Sequence, residues 1–327
     1  NLSPFGAFIF REKIRGQLIN RLRADDWFRR KSELLEQELL PVYLITGLQR
    51  TGTTRLQRLL SHQPSSRGLH TWEALNPSPI KSLDETKKRI AQGKLAAKSI
   101  KWMAPDFNSI HPIHPQDFEE DVLLLDVTFQ STAFEAILNV PSYSEWLTKN
   151  YNASPYEYEV KLLKLLQYGS DKKHWILKSP HHLEYLDLFK KVLKPEKIIW
   201  THRDIQKTVP SLLSMLFYSR GLFQNTSNLE EVSKHWFNKM KVMVEKGIAF
   251  NELNPQNILH LDYKKWTTNE KETVSNILGL EQSDVLSESV HYTSKHSYNL
   301  EYFNVTEEEI NTQFSSYINF SKALKFN

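Results

Sequence analysis

The sequence has no cysteine among its 327 residues. Disulfide bonds, thiol nucleophiles and cysteine-ligated metal sites are therefore excluded. No apolar run approaches the roughly 20 residues that a membrane-spanning helix needs. The H-E-x-x-H spacing of zinc enzymes is also missing, and the sequence predicts no metal site.

Positively charged residues only slightly outnumber negatively charged ones. The net charge of +4 suits an anionic ligand but is too small to indicate nucleic acid as a partner. Hydrophobic residues make up 40% of the chain, which is enough for one large core. The lack of cysteine and of a visible anchor favours the cytoplasm, whereas an anchor upstream of Asn1 would place the protein in the Golgi or on another membrane.

A phosphate-binding loop is present without its usual lysine. Residues 47–54 read GLQRTGTT and directly follow the apolar run 42–45. The spacing G-x-x-x-x-G-x-[ST] is typical of loops that wrap a phosphate with backbone N–H groups at the start of a helix. Thr53 stands where an ATPase would place the lysine that reaches the β- and γ-phosphates. The loop is therefore predicted to bind a nucleotide for a purpose other than ATP hydrolysis.

Five residues of this loop are candidates for contact with the ligand. Gly52 permits close approach of the backbone. Thr51, Thr53 and Thr54 offer hydroxyl groups to phosphate oxygens. Arg50 lies inside the loop and can supply the positive charge that the missing lysine would have carried.

Short apolar strands alternate with helices along the chain. This alternation predicts an α/β fold with a P-loop-type central parallel sheet flanked by helices. The predicted strands are 42–46, 175–177, 198–200 and 258–261. The predicted helices are 8–40, 53–62, 83–102, 122–138, 156–168, 182–193, 206–218, 229–253 and 270–279.

We expect a single domain over residues 1–327. It would begin with a helical segment at 1–40, and a helical or irregular insertion at 75–121 would cap the substrate. The insertion contains prolines 77, 79, 105, 112 and 115, which are typical of irregular backbone. Pro141 predicts a turn between two helices.

Two further strand ends carry basic residues. Lys178 follows the strand 175–177, where it could stabilise charge on a group in transfer. Arg203 follows the strand 198–200 and would offer a planar fork to a phosphate, with Ser211 about two turns further along the next helix. Because ligands bind beyond the carboxyl ends of parallel strands, these residues are expected near the loop.

Together these segments resemble the sulfotransferases that use 3′-phosphoadenosine 5′-phosphosulfate (PAPS). The resemblance covers residues 40 to 317 and is closest to the bacterial and tyrosylprotein-sulfotransferase-like group. GLQRTGTT resembles the 5′-phosphosulfate loop G-x-P-R-[ST]-G-T-[ST], with Gln49 in place of proline. The segment 203–211 resembles the 3′-phosphate motif R-[DN]-P-x-x-x-x-x-S, with Ile205 in place of proline.

The resemblance also implies roles for residues outside these motifs. Lys178 matches the lysine that contacts the transferring sulfuryl group, and Tyr263 matches a tyrosine near the adenine. Lys295 lies in a segment that resembles the late basic stretch closing over the 3′-phosphate. Residues 70–73 resemble the stretch that places a catalytic acid, which makes Glu73 the predicted general base.

Histidine is the alternative to Glu73, because other sulfotransferases use one as the base. The candidates are His111, His114 and His181, the last because it is close to Lys178 in the chain.

The implied reaction moves a sulfuryl group from PAPS to a hydroxyl or amine of a small molecule or peptide, and releases adenosine 3′,5′-bisphosphate (PAP). It requires no metal. Two other functions stay open, a P-loop kinase that uses Mg·ATP and a non-catalytic nucleotide-binding protein.

Overall fold

In the described part of the chain, five short parallel strands form the centre of this computed structural model. The structure describes residues 2–103, 114–221, 223–224, 228–287, 300–324 and 326. The strands are β1 Val42–Thr46, β2 Ser66–Gly68, β3 His174–Lys178, β4 Lys197–His202 and β5 Ile258–Asp262. Their order across the sheet is β2-β3-β1-β4-β5, and every neighbouring pair is parallel.

Helices cover both faces of the sheet. Those before β3 are α1 Pro4–Arg30, α2 Glu33–Glu36, α3 Thr53–Ser61, α4 Thr71–Leu75, α5 Thr86–Met103, α6 Val122–Leu125, α7 Ala133–Ile137, α8 Pro141–Asn150 and α9 Ser154–Gln167. Those after it are α10 Leu186–Leu193, α11 Ile205–Gly221, α12 Leu229–Leu253, α13 Tyr263–Thr268, α14 Glu270–Leu278, α15 Glu307–Gln313 and α16 Ser315–Ala323. Short 3₁₀ turns lie at Asp126–Thr128, Pro180–Glu184, Pro255–Asn257, Gln282–Asp284 and Leu300–Phe303.

Alternate residues of the strands enter different cores. In β1, Leu44 belongs to the larger core, which also contains residues of α9, α11 and α12. Tyr43 and Ile45 belong to the smaller core, which also contains residues of α3, α13 and α14. Successive side chains point to opposite faces of a strand, and all five residues of β1 are therefore buried.

The strand order reverses at β1. The chain passes from β1 to β2 and β3 on one side of it, and then to β4 and β5 on the other. A crevice forms beyond the carboxyl ends of the strands at such a reversal, and ligands of open α/β sheets bind there. The loop at 47–52 follows β1 and therefore lies at this position.

The predicted α/β class with a parallel sheet is confirmed. The predicted strand 42–46 and helix 229–253 match the observed elements residue for residue. Strand β2, helices α4 and α13 and the two C-terminal helices were not predicted from the sequence. β2 has only three residues, too few for an alternating pattern to be recognised.

The predicted helix over 122–138 is wrong. The chain forms α6, then the 3₁₀ turn Asp126–Thr128, and Phe129 follows in the left-handed region with φ 58°. Thr128 Oγ1 donates to the carbonyl oxygen of Leu125 at 2.7 Å. Such local bonds of threonine compete with helical hydrogen bonding, and α7 begins only at residue 133.

The turn predicted at Pro141 is also wrong in kind. Pro141 is the first residue of α8. Proline suits this position because the first turn of a helix has no partner for its N–H group. This short helix was not predicted, because the sequence reasoning followed the apolar periodicity of the segments on either side.

The N-terminal segment 1–40 contains α1 and α2, and the described part of 75–121 contains α5 and irregular chain. Whether residues 75–121 form a substrate cap, and whether the chain is one domain, stay predictions. Among the described residues, no helix combines the length and apolar character that crossing a membrane requires.

Candidate functional site

The loop after β1 requires glycine at two positions. Gly47 and Gly52 have φ of +133° and +92°. A Cβ atom on Gly47 would lie 2.6 Å from the carbonyl oxygen of Thr201, and one on Gly52 would lie 2.7 Å from the ring of Tyr263. Arg50 also has a positive φ, 69°. Left-handed residues within such a loop form the concave nest of N–H groups that binds anions.

The threonines of the loop differ in their surroundings. Thr51 is fully buried, and its Oγ1 donates to a carbonyl oxygen of the loop at 2.6 Å and lies 2.7 Å from Thr201 Oγ1. Thr53 is buried and begins α3. Thr54 is exposed and accepts a hydrogen bond from Lys178 Nζ at 3.3 Å. Thr54 is therefore the most accessible of the three hydroxyls, while Thr51 fixes the loop against β4.

Arg50 links the loop to the segment after β4. Its Nε donates to Ser211 Oγ at 2.9 Å. Arg203 Nη1 donates to the carbonyl oxygen of Arg50 at 2.9 Å, and the Arg203 guanidinium lies 4.5 Å from the centre of the Tyr263 ring. Four residues predicted separately from the sequence therefore meet at one edge of the sheet.

Lys178 ends β3 at the same edge. Its side chain is only 3% exposed, and its Nζ lies 2.7 Å from Glu120 Oε1 and 3.3 Å from Thr54 Oγ1. The Glu120 side chain is 29% exposed, and its Oε2 accepts from Ser179 Oγ at 3.1 Å. Lys178 thus connects the loop after β1 with an acidic residue that the sequence reasoning missed. The run Glu119-Glu120-Asp121 before an apolar helix was the available signal.

A buried polar network supports the end of β3. Asp121 Oδ1 accepts from the Lys178 backbone N–H at 3.0 Å, and Asp121 Oδ2 lies 2.7 Å from His182 Nε2. Burial opposes ionisation of Asp121, but His182 and the neighbouring Glu159 nevertheless lower the pKa of Asp121. Burial, together with Asp121, raises the pKa of Glu159 well above its usual value. The two shifts favour the protonated form of Glu159 beside the ionised form of Asp121.

Glu73 occupies a different kind of environment. Its side chain is 4% exposed, and both oxygens face Arg67, at 2.5 Å from Nη2 and 2.9 Å from Nη1. One oxygen also accepts from the His70 N–H at 3.0 Å in the capping box of α4. Burial raises the pKa of Glu73, but Arg67 outweighs it and the pKa is lowered. The structure gives no hydrogen bond between Glu73 and Lys178, and the role of Glu73 as base stays a prediction.

Two of the histidines considered as alternatives to Glu73, His181 and His114, lie in different surroundings. His181 is buried between Thr132 Oγ1 at 3.0 Å and Tyr151 OH at 2.8 Å, and burial holds its pKa well below the usual value. The His114 side chain is 60% exposed and lies 3.6 Å from Asp117.

Two predicted residues, His111 and Lys295, lie outside the described part of the chain. Within the described ranges, no group of three or more histidine, aspartate or glutamate side chains is arranged to hold a metal ion.

Tyr263 begins α13 directly after β5, and Asp262 caps this helix by accepting from the N–H groups of Lys264 and Lys265 at 3.0 and 3.1 Å. The cap fixes the turn in which Tyr263 reaches both Arg203 and the backbone of Gly52. Tyr263 therefore has a defined position at the edge of the loop, and its contact with adenine stays a prediction.

The solved structures that are similar to this one include two mycobacterial sulfotransferases. The sulfotransferase STF1 from Mycobacterium tuberculosis H37Rv is 23% identical, with a TM-score of 0.83 over 96% of this chain and 87% of that one. The sulfotransferase STF9 from Mycobacterium avium is 20% identical, with a TM-score of 0.87 over 100% of this chain and 87% of that one. At these identities the likeness shows the fold. No curated protein sequence is significantly similar to this chain.

The sequence model of the Sulfotransferase family matches residues 41–282, which is most of the chain. The matched range contains the phosphate loop and the basic residues at the ends of β3 and β4. These are the segments that the fold brings together at one edge of the sheet. The chain therefore belongs to the sulfotransferase family.

Proposed function

We propose that this protein transfers a sulfuryl group from PAPS to a hydroxyl or amine of a small molecule or peptide, and releases PAP. The observation that carries the proposal is the meeting of three segments at one sheet edge: the glycine loop, Lys178, and Arg203 with Ser211. Membership of the sulfotransferase family supports sulfuryl transfer as the reaction.

The donor would be held at its two ends. The loop would bind the 5′-phosphosulfate through its backbone N–H groups, Arg50, Thr53 and Thr54, because left-handed loop residues before a helix form an anion nest. Thr51 and Gly52 would keep the loop in this shape.

At the other end, Arg203 and Ser211 would bind the 3′-phosphate. Arg203 has a planar fork of N–H donors that suits a phosphate, and its stacking on Tyr263 restricts its orientation. Tyr263 would also contact the adenine, and Lys295 is proposed to close over the 3′-phosphate.

In-line transfer asks little covalent chemistry of the protein. Positioning and electrostatic stabilisation dominate, since charge builds up on the sulfuryl oxygens and on the oxygen that bridges to the leaving phosphate. Lys178 and Arg50 would meet that charge. PAPS has no triphosphate that requires Mg²⁺, and we propose that the transfer is independent of metal. A side chain must also take the acceptor proton, and the family resemblance assigns this role to Glu73.

Calorimetric titration with PAP, and separately with Mg·ATP, tests the donor. We expect metal-independent binding of PAP, weakened about 10- to 100-fold by Arg203→Ala, because a charge-assisted hydrogen bond contributes about 1.5–3 kcal/mol. Arg29→Ala is the control, since Arg29 is exposed and pairs with Asp26 on α1. A preference for Mg·ATP would instead support a P-loop kinase.

Sulfuryl transfer from [³⁵S]PAPS in the presence of EDTA then separates an enzyme from a binding protein. Incorporation of label into an acceptor supports the proposal. Binding of PAP without transfer to any hydroxyl or amine acceptor in a broad screen would favour the non-catalytic alternative.

A further inference from the structure

Glu120 forms an ion pair with Lys178, the residue that would contact the transferring group. We propose that Glu120 is the general base that takes the acceptor proton, an assignment that rests on the proposed function. Its Oε1 lies 2.7 Å from Lys178 Nζ, the ammonium group that would contact the sulfuryl group. No other carboxylate forms an ion pair with Lys178 among the described residues.

The side chain of Glu120 is accessible to solvent, whereas that of Lys178 is buried. The Glu120 side chain is 29% exposed, whereas the Lys178 side chain is 3% exposed. Among the described residues, Oε2 of Glu120 accepts one hydrogen bond, from Ser179 Oγ at 3.1 Å, and a carboxylate oxygen has two lone pairs. An acceptor hydroxyl can therefore reach Glu120 from solvent without breaking its existing bonds.

Lys178 can also form a hydrogen bond to PAPS while it is paired with Glu120. An ammonium group has three N–H donors, and within the described part of the chain Glu120 and Thr54 use two of them. The third can donate to a sulfuryl oxygen of PAPS held by the loop. The sulfuryl group bound by Lys178 would then lie next to an acceptor hydroxyl bound by Glu120.

The step balances with these groups alone. The acceptor oxygen forms a bond to sulfur, and the bond between sulfur and the oxygen of the 5′-phosphate breaks. The electron pair of that bond stays on the phosphate oxygen, which leaves as part of PAP. The acceptor proton moves to the Glu120 carboxylate, and no oxidant, reductant or metal is needed.

The segment that carries Glu120 is fixed on both sides. The Glu119 N–H donates to the carbonyl oxygen of Leu69, at the end of β2, at 2.8 Å. Asp121 accepts from the Lys178 backbone N–H at 3.0 Å and is fully buried. Because both neighbours are held to adjacent strand ends, Glu120 has a defined position beside Lys178.

Glu73 is less suited to receive a proton. Its two oxygens already accept two bonds from Arg67 and one from the His70 N–H, and its side chain is 4% exposed. Protonation would break a buried ion pair, which is costly. We infer that Glu73 is a positioning residue that holds the corner between β2 and α4.

The test compares Glu120→Gln with Glu119→Gln, which removes the same charge one residue away. The measurements are calorimetric binding of PAP and steady-state transfer from [³⁵S]PAPS to 4-nitrophenol, 4-methylphenol and 1-octanol. We expect Glu120→Gln to lower kcat about 10²–10⁴-fold, the usual contribution of a positioned base, with little change in PAP affinity. Glu119→Gln should stay within about threefold of wild type on the same measure.

The three acceptors distinguish a base from a residue that merely orients Lys178. Loss of a base harms 1-octanol and 4-methylphenol more than the acidic 4-nitrophenol, which needs little help to lose its proton. Displacement of Lys178 would slow all of them alike. Glu120→Asp, which keeps the carboxylate, should recover part of the rate and shows that the fold tolerates a change at this position.

Other outcomes overturn the assignment. Near-wild-type turnover of Glu120→Gln, or an equal loss with every acceptor, would exclude Glu120 as the base. If Glu73→Gln alone showed the dependence on acceptor acidity, the base would be Glu73. A wild-type protein that neither binds PAP nor transfers label would contradict the proposed function itself, which is a different result.

Discussion

Arg50 and Ser211 are 161 residues apart in the chain and are joined by a hydrogen bond of 2.9 Å from Nε to Oγ. The bond connects the loop after β1 with helix α11, and Arg203 adds a second link by donating to the Arg50 carbonyl oxygen. The two ends of the proposed donor site are therefore coupled. A substitution in α11 that removes this bond should therefore alter the conformation of the loop.

Substitution of Ser211 tests this coupling. Ser211→Ala removes a proposed phosphate contact and releases the Arg50 side chain, and we expect PAP affinity to fall about tenfold, or about 1.4 kcal/mol. The control is Ser219→Ala on the same helix, because Ser219 is also buried and its Oγ donates to the Met215 carbonyl oxygen. Equal PAP affinity for the two variants in calorimetry would show that Ser211 does not contact the donor.

The left-handed backbone at Gly52 leads to a prediction about substitution by alanine. Gly52→Ala places a Cβ in the left-handed region and 2.7 Å from the Tyr263 ring, so the loop must shift. We expect a loss of about 1–3 kcal/mol in the free energy of unfolding and strongly reduced PAP binding. Gly16→Ala is the matched control, since Gly16 lies within α1 with open space around it and alanine should stabilise the helix by about 0.5–1 kcal/mol. Normal PAP binding by Gly52→Ala would contradict this account of the loop.

Asp121 is buried beneath the site, where it accepts a hydrogen bond from the Lys178 backbone and pairs with His182. We expect its removal to have a large effect on stability. Asp121→Ala removes the partner of buried His182 and of the Lys178 backbone N–H, and we expect the free energy of unfolding to fall by about 3–5 kcal/mol. Urea unfolding measures it, with exposed Asp171→Ala as control. A loss within 0.5 kcal/mol, or about that of the control, would mean that the network contributes little.

Two histidines at the end of β4 predict a dependence of stability on pH. His202 Nε2 and His260 Nδ1 lie 2.9 Å apart, and Tyr317 OH is 3.1 Å from the other nitrogen of His202. Burial lowers the pKa of His260 to about 4 and that of His202 well below 6.5. The unfolded chain binds these protons near pH 6.5, whereas the folded chain does not. Their stabilising contribution is therefore complete above about pH 6.5 and is lost as the pH falls toward 4.

The slope should be about 1.4 kcal/mol per pH unit for each proton that the folded chain excludes. His260→Gln keeps a polar side chain but cannot titrate, and it should flatten the fall in unfolding free energy between pH 7 and pH 5. His62→Gln, an exposed position, should not. Identical slopes for wild type and His260→Gln in urea unfolding would show that this pair is not responsible.

The predicted site residues differ in how far local sequence could place them. GLQRTGTT was recognisable because its spacing, glycines and following helix lie within one contiguous segment. Arg203 and Ser211 lie on one strand end and one helix, which fixes their approximate separation. Helix 122–138 failed because Thr128 and Phe129 break the regular hydrogen bonding, which apolar spacing does not reveal.

The sequence by itself determined the parallel α/β fold, the phosphate loop and the basic residues at the ends of β3 and β4, since each depends on apolar periodicity or on a short motif. Only the tertiary structure decided which acid faces Lys178. Glu73 forms a buried ion pair with Arg67, whereas the partly exposed Glu120 forms an ion pair with the buried Lys178. These contacts join residues that are distant in the chain or on different turns, and their burial and competing partners arise only when the strands pack side by side.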